Sequence, residues 1–153
     1  RARGEQELER QTVSLAAAAE EAWDGVDTAE ITLDVRGDAT FSADPTRLKQ
    51  LFENLYRNAR EHAGEDVTVM VGAHNDGFYV GDDGPGIPAD ERDEVFEQGV
   101  TDNEEGTGYG LAIVSEIVEG HGWTIEATEG DAGGACFEIH HIHSLSEAES
   151  EVV

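Results

Sequence analysis

Residues 106–113 read Gly-Thr-Gly-Tyr-Gly-Leu-Ala-Ile, a run of three alternate glycines that leads directly into an apolar segment. The apolar residues of that segment recur at helical spacing, which predicts a buried helix ending near Gly120. Backbone N–H groups at a helix N-terminus form an anion-binding site, so the glycine run is a candidate phosphate-binding loop. A flexible hinge before a helix would have the same glycines, and this motif alone does not decide between the two.

A second glycine-rich motif, Gly-Asp-Asp-Gly-Pro-Gly-Ile-Pro, occupies residues 81–88 after a predicted strand. Gly84 and Gly86 would let the backbone approach a flat ligand closely. A carboxylate at the floor of such a pocket, here Asp82, can accept a hydrogen bond from an exocyclic amine. An ordinary acidic turn is the alternative interpretation, because Asp-Gly-Pro-Gly is a good turn by itself.

A pair of asparagines forms the third motif. Asn54 and Asn58 are four residues apart on a predicted helix, so their side chains share one face. The helix has a start signal in Asp44 as the N-cap and Pro45 as the first helical residue. Two carboxamides can offer oxygens to a hard cation and N–H donors to phosphates. Two exposed helical amides without a ligand are the alternative.

The rest of the chain alternates between helical and strand periodicity. Predicted helices cover residues 5–23, 45–62, 89–95 and 111–120. Predicted strands cover residues 31–35, 39–41, 67–71, 78–80, 123–128 and 136–142. Residues 39–41 are expected to pair with 31–35 across a turn at Gly37-Asp38, residues 97–106 to form a mobile loop, and the chain from Ser144 to fray. This order favours an α+β fold, a two-layer α/β sandwich with helices on one face of a mixed sheet.

The composition excludes several classes of function. Thirty-five acidic residues against nine basic ones give a net charge of −26, and Lys49 is the only lysine. Such a surface repels phosphate backbones and anionic membranes, so neither nucleic-acid binding nor direct membrane contact is expected. The acidic residues are interleaved with periodic apolar ones, which favours a folded core under an acidic shell. That shell is typical of halophilic proteins, because concentrated salt screens the repulsion.

The order and spacing of the three motifs resemble the ATP-binding catalytic domain of sensor histidine kinases, in the superfamily shared with DNA gyrase B, Hsp90 and MutL. The resemblance covers about residues 24–142. The family's motifs are matched by residues 54–62 (N box), 82–86 (G1 box), Phe96 (F box) and 106–111 (G2 box), and more weakly by Gly133-Gly134 with Phe137. Gly-Thr-Gly-x-Gly-Leu-Ala-Ile is the most specific of them for the kinase branch.

This resemblance implies the Bergerat ATP-binding fold and a role for each matched residue. Asn58 would be the Mg²⁺ ligand, Asn54 would assist it, and Asp82 would accept the adenine amino group. Gly84 and Gly86 would make room for the base, and residues 97–106 would form a lid over ATP. The other matched ATP-binding positions are His62, Ile87, Gly106, Thr107, Gly108, Tyr109, Gly110 and Leu111.

The chain departs from the family pattern at several positions. Asp83 replaces the usual Asn, Tyr109 a commoner Leu, and Ala135 the usual Thr. Glu61 stands where many members have a phosphate-contacting Lys, and His62 where many have Tyr. Arg57 or Arg60 could replace that Lys, although the helical rotation favours an Arg57 that points away from the asparagine face. The favoured interpretation is that both arginines are solvated surface groups.

The residue type at position 54 distinguishes ATP hydrolysis from transfer of the γ-phosphate to another protein group. In the gyrase, Hsp90 and MutL branches a Glu four residues before the metal-binding Asn activates water. Asn54 occupies that position here and cannot accept a proton, and Glu53 lies about 100° around the helix. The site is therefore expected to hold ATP without hydrolysing it and to donate the γ-phosphate to a histidine of another domain.

The resemblance also implies an organisation and partners. Residues 1–23 would be the end of a preceding dimerisation and phosphoacceptor region with its linker helix, 24–143 the ATP-binding domain, and 144–153 an acidic tail. Its expected partners are its own histidine phosphotransfer domain and a response regulator receiver domain. The expected location is the cytoplasm, whether or not the full-length protein is attached to a membrane. A protein-serine kinase of the anti-sigma-factor type and a nucleotide-binding module without transfer are the alternatives.

None of the six histidines has the sequence context of a phosphoacceptor. Three of them, His140, His141 and His143, lie close together near the last predicted strand. Strand alternation places His140 and His141 on opposite faces, which disfavours a metal site built from these three.

Overall fold

The computed structural model describes residues 8–25, 31–63, 67–74, 76–84, 110–129, 134–142 and 146–147. Three helices lie in these segments: α1 (Leu15–Asp24), α2 (Pro45–Ala63) and α3 (Gly110–Gly120). The strands are β1 (Gln11–Ser14), β2 (Ile31–Val35), β3 (Ala39–Ala43), β4 (Val67–His74), β5 (Gly77–Asp82), β6 (Thr124–Glu129), β7 (Ala135–His140) and β8 (Ser146–Glu147).

Five strands form the main sheet, in the order β2-β4-β5-β7-β6. Strands β2 and β4 are parallel, and the other neighbours are antiparallel. The parallel pair requires a crossover connection, which β3 and α2 provide. The mixed sheet with its helices confirms the predicted α+β fold.

One face of the main sheet packs against the helices and holds the core. Alternation along the strands places Val69 and Val71 of β4, Val80 of β5 and Ile139 of β7 on this face, where all are buried. Helix α2 covers them with a stripe of residues that are at most 2% exposed: Leu48, Leu51, Phe52, Leu55 and Tyr56. Their spacing of three and four residues is that of an amphipathic helix, so sequence periodicity predicted this layer correctly.

The start of α2 is the one predicted. The Asp44 carboxylate accepts the backbone N–H groups of Thr46 at 3.0 Å and Arg47 at 3.2 Å, and Pro45 is the first helical residue. The N-cap therefore satisfies two of the orphan donors at this helix end.

The single helix predicted over residues 5–23 is wrong in its first part. Residues 11–14 form β1, which pairs antiparallel with β3, and α1 begins only at Leu15. Ser14 ends the strand as an N-cap, because its hydroxyl accepts the N–H of Ala17 at 3.1 Å. The Asp38 carboxylate accepts the N–H of Ala16 at 3.0 Å and thereby fixes the same helix end.

The hairpin predicted between residues 31–35 and 39–41 is also wrong. Strand β2 pairs with β4, and the Arg36 N–H continues that pairing to the Val71 carbonyl at 2.7 Å. Strand β3 is not part of the main sheet. It is the central strand of a second sheet of order β1-β3-β8. In the predicted tail, Ser146 and Glu147 pair with Thr40 and Ala39, so this part of the tail is a strand.

The described part of residues 1–23 shares the core of the domain. Leu15, Ala19 and Ala22 of α1 are fully buried, and the Tyr56 hydroxyl of α2 donates to the Ala19 carbonyl at 2.8 Å. The predicted short helix 89–95 and the predicted loop 97–106 lie outside the described residues. Among the described helices, none is long and apolar enough to cross a membrane.

Candidate nucleotide-binding site

Asp82 lies at the end of β5, on the face of the sheet that packs against the helices. Its side chain has the same orientation along the strand as the core residues Phe78 and Val80, and the residue is only 6% exposed. Its Oδ1 accepts the backbone N–H of Gly84 at 2.9 Å. The carboxylate that the sequence predicted as an adenine acceptor is therefore buried and held in place by the backbone.

The pKa of the Asp82 carboxyl is raised above its ordinary value. Burial is the main cause, and the negative charge of the neighbouring Asp83 adds to it, while the backbone N–H groups of Gly84 and Ala135 oppose it. A buried carboxylate that has lost its water gains free energy from a polar ligand that donates a hydrogen bond. An amine-bearing base is such a ligand.

Position 134, just before β7, requires a glycine because Asp82 lies directly against it. A Cβ at Gly134 would overlap the backbone oxygen and Oδ1 of Asp82. The sequence showed this residue only as part of a weak final glycine motif. Its physical role, which is to leave room for the Asp82 carboxylate, depends on a contact across 52 residues that no local pattern reveals.

Asn54 is buried on α2, at 9% exposure, and its amide is oriented by the helix itself. Its Nδ2 donates to the Gln50 carbonyl at 2.8 Å, which turns Oδ1 outward as an acceptor. The Arg57 guanidinium donates to that Oδ1 at 3.3 Å. Arg57 is exposed, as predicted, but its side chain reaches back to Asn54 and does not point away from it.

Asn58 lies one turn further along α2 and is half-buried. It is five residues, or about 7.5 Å, from the end of the helix. Asp82 pairs with Val69, near the start of β4, the strand that follows α2 in the chain. The asparagine face and the buried carboxylate therefore lie towards the same end of the sheet, on its helical side.

Glu53 is turned towards α1. Its Oε2 lies 3.1 Å from the position that a Cβ on Gly25 would occupy, at the C-terminal end of α1. The carboxylate next to Asn54 in the sequence is thus directed at a neighbouring helix, as the rotation around α2 predicted.

Helix α3 begins at Gly110, so the last glycine of the third motif lies at the helix start as predicted. Leu111, the next residue, is half-buried and packs against the core. The side chain of His62 and six further predicted ATP-binding residues lie outside what the structure describes: Gly86, Ile87, Gly106, Thr107, Gly108 and Tyr109.

The profile of the histidine kinase-, DNA gyrase B- and HSP90-like ATPases matches residues 43–144 of the chain. The chain belongs to this ATPase family. The resemblance found in the three motifs is thereby confirmed.

Sensor kinases are among the curated relatives of this ATPase domain. Sensor histidine kinase ZraS of Escherichia coli K12 is 42% identical over 101 residues, which are 63% of this chain and 22% of that protein. C4-dicarboxylate transport sensor protein DctB of Rhizobium meliloti is 44% identical over 93 residues, which are 57% of this chain and 15% of that protein. The chain thus spans less than a quarter of the length of these relatives.

Solved structures of histidine kinases share the fold of this ATPase domain. The mycobacterial sensor histidine kinase MprB superposes with a TM-score of 0.73 at 23% identity, over 90% of this chain and 97% of that one. Full-length ShkA in complex with AMPPNP superposes with a TM-score of 0.71 at 27% identity, over 92% of this chain and 32% of that one. The domain therefore has the fold of the histidine kinase ATPase domains.

Proposed function

We propose that this ATPase-family domain binds Mg²⁺–ATP on the helical side of its sheet and donates the γ-phosphate to a histidine of a separate dimerisation domain. The observation that carries the proposal is the buried Asp82 carboxylate, 6% exposed and fixed by the Gly84 N–H. A carboxylate in this position accepts an N–H from the exocyclic amine of adenine. Guanine presents a carbonyl at the same position of the ring, so it is disfavoured.

The asparagines of α2 are assigned to the phosphates. The inward hydrogen bond of Asn54 Nδ2 leaves its Oδ1 facing a cationic group, the Arg57 guanidinium. An amide oxygen that faces a cationic group can also face a metal cation, and an asparagine is a Mg²⁺ ligand in protein kinases. Asn58 would hold the ion, which when bound neutralises charge on the β- and γ-phosphates.

Transfer is favoured over hydrolysis because the described part of the site offers no base for water. Phosphoryl transfer depends mainly on positioning and electrostatic stabilisation. Asn54 stands where a base would be needed, and the Glu53 carboxylate lies beside Gly25 at the end of α1. The nucleophile is then supplied by the partner domain. In this proposal the glycines of residues 106–110 cradle the phosphates.

The proposed organisation follows from the same assignment. The ATP-binding unit comprises residues 24–143, and β1 and α1 pack against it through the core described above. A preceding helical region carries the phosphoacceptor histidine, and a response regulator receiver domain takes the phosphate next. Residues 144–153 form an acidic segment that is attached to β3 through Ser146 and Glu147. The proposed location is the cytoplasm.

The test is a phosphotransfer assay with the chain extended upstream through its phosphoacceptor region. Incubation with γ-labelled ATP and Mg²⁺ should give label that is stable to base and labile to acid, as phosphohistidine is. Asn58→Ala should abolish the label. Thr46→Ala, at an exposed position of the same helix, should leave it unchanged.

The other outcomes identify the alternatives. Acid-stable label on serine of an added protein substrate would favour a kinase of the anti-sigma-factor type. Tight ATP binding without any label in the extended chain would favour a binding module.

A further inference from the structure

The face of the main sheet opposite the helices carries a cluster of histidines and carboxylates. His74 ends β4, His140 ends β7, and Asp76 lies in the turn between β4 and β5. His74 and His140 alternate with the core residues of their strands, so both are on the open face. One ligand atom of each of His74, Asp76 and His140 lies within 4.8 Å of those of the other two.

His74 is the member of the cluster whose polar group is unsatisfied. Its Nε2 is buried and has no hydrogen-bond partner among the described residues. Its ring lies edge-on to that of His140, with centroids 5.0 Å apart, and stacks on Tyr79 at 6.2 Å. Buried polar atoms in folded proteins are nearly always paired, so this nitrogen points to a missing partner.

Asp76 is oriented towards His140 by the backbone. Its Oδ2 accepts the backbone N–H of His141 at 3.1 Å, and its Oδ1 lies 3.3 Å from His140 Nδ1. Two ligands about 2.0–2.1 Å from a tetrahedral zinc ion lie about 3.3 Å apart. The separation of these two atoms therefore matches an edge of a zinc coordination tetrahedron.

His140 has a carboxylate on its other nitrogen. Its Nε2 lies 3.2 Å from Glu126 Oε2 and 3.4 Å from Glu138 Oε1, both on the same face of the sheet. A metal-binding histidine commonly donates its second ring N–H to a carboxylate, which fixes the tautomer and makes the ligating nitrogen more basic. Glu126 and Glu138 hold His140 in that arrangement, with Nδ1 left for the ion.

We propose that His74, Asp76 and His140 form a binding site for a zinc-type divalent ion, with Glu126 and Glu138 as the outer carboxylates. Two imidazoles and one carboxylate suit Zn²⁺ and its transition-metal neighbours, whereas Mg²⁺ and Ca²⁺ prefer oxygen ligands alone. The fourth position is open to water. The ion would tie the β4–β5 turn to the end of β7.

The site is separate from the proposed nucleotide site. Asp82 and the asparagines of α2 are on the helical side of the sheet, whereas the three ligands are on the open side. Of the histidines near the last strand, His140 is the one proposed as a ligand. Its partners come from much earlier in the chain: His74 ends β4, and Asp76 lies in the β4–β5 turn, 64 positions before His140.

The test uses the whole chain, freed of metal by a chelator and titrated with Zn²⁺ and, separately, with Mg²⁺ by calorimetry. One Zn²⁺ should bind, it should raise the melting temperature as ligand linkage requires, and Mg²⁺ should not compete for it. His74→Gln and His140→Gln should each weaken Zn²⁺ binding by more than about 100-fold. The double variant Glu126→Gln/Glu138→Gln should weaken it by about 10- to 100-fold, as loss of an outer carboxylate does.

The matched control is His141→Asn. His141 is an exposed neighbour with a backbone φ of 72°, a conformation that Asn tolerates, so this variant should bind Zn²⁺ as the wild type does. Equal Zn²⁺ affinity in His74→Gln, Asp76→Asn and His141→Asn, or no stoichiometric binding by the wild type, would overturn the proposal. ATP affinity measured on the same variants should be unchanged. Loss of the zinc site and failure of the proposed nucleotide site are therefore distinguishable.

Discussion

Nε2 of His121 accepts the backbone N–H of Asp44 at 3.1 Å, and the two residues are 77 positions apart in the chain. The opposite ring nitrogen, Nδ1, lies 2.8 Å from the Ile117 carbonyl, and the ring stacks on Trp123 with centroids 4.3 Å apart. His121 follows the end of α3, and Asp44 is the N-cap of α2. The neutral His121 imidazole thus connects the end of α3 to the start of α2, the helix that packs against α3.

Replacing this imidazole should destabilise the domain and change its pH dependence. His121→Gln should cost about 1–3 kcal/mol of unfolding free energy at pH 7.5, because it leaves a buried N–H or carbonyl without its partner. Burial lowers the pKa of His121 below 6.5, and the charges of Arg10 and Arg47 lower it further. Protonation therefore favours the unfolded chain, and the stability due to neutral His121 is lost as the pH falls below about 6.5.

Denaturant unfolding at pH 7.5 and pH 5 checks both parts of this prediction. The difference between wild type and His121→Gln should shrink towards pH 5. His141→Asn, at an exposed histidine, should follow the wild type at both pH values. A difference that stays constant between the two pH values would show that His121 does not titrate with unfolding.

Nucleotide affinity should depend on Asp82 and not on its neighbour. Asp82→Asn should weaken ATP binding by about tenfold to a hundredfold, because a charge-assisted hydrogen bond to the base is lost. Asp83→Asn removes the same charge from an exposed side chain, which accepts the Thr68 N–H at 2.9 Å, and should have little effect. Calorimetric titration of each variant with ATP and with GTP measures these affinities. Equal ATP affinity in Asp82→Asn and Asp83→Asn would contradict the assignment.

Gly134→Ala should damage the nucleotide site from the side of β7. The new Cβ would overlap Asp82, so the carboxylate or the strand must move, at a cost of about 1–3 kcal/mol in unfolding free energy. ATP affinity should fall with it. Gly37→Ala is the control, since a Cβ there meets nothing within 4 Å. Melting curves and ATP titrations of the two variants should separate them clearly.

The chain by itself should hydrolyse ATP far more slowly than the about 1 s⁻¹ at the low end of ordinary enzymes. The reason is that Asn54 cannot act as a base and Glu53 is turned towards α1. Phosphate release measured with saturating Mg²⁺–ATP is the check. Turnover at or above that rate, abolished by Asn58→Ala, would place the domain among the hydrolysing members of its family.

Stability should rise steeply with salt. The net charge of −26 causes self-repulsion that salt screens, so the melting temperature should increase from low to molar KCl. A neutral osmolyte at matched osmolality controls for preferential exclusion from the protein surface. A melting temperature that responds to both solutes alike would mean that charge screening is not the cause.

Local signals in the sequence predicted the helical layer correctly. The N-cap at Asp44, the apolar stripe of α2 and the glycine at the start of α3 are all short-range features, and each is found where it was expected. Asp82 was interpreted as a carboxylate at the floor of a pocket after a strand, and it is buried at the end of β5. These predictions succeeded because neighbouring residues alone determine capping, periodicity and turn chemistry.

Strand partners were predicted less well, because pairing is decided between distant segments. Residues 11–14 were interpreted as helical, yet an available partner in β3 makes them a strand. Residues 39–41 were predicted to pair with residues 31–35, the nearest strand in the sequence. Instead β2 pairs with β4, and Asp38, which lies between β2 and β3, caps the start of α1. The position of Arg57 against Asn54 was missed for a different reason, since a long side chain can reach back over a turn of helix.

By itself, the sequence of this protein determined the α+β class, the three motifs and the family that their order identifies, because glycine spacing, helix caps and apolar periodicity are local properties of the chain. The tertiary structure alone decided which strands pair and which distant residues meet. It placed Gly134 against Asp82, the His121 ring on the N-cap of α2, and His74 beside His140 on the open face. Each of these contacts joins segments that are more than 50 residues apart, and their proximity results from burying one common core.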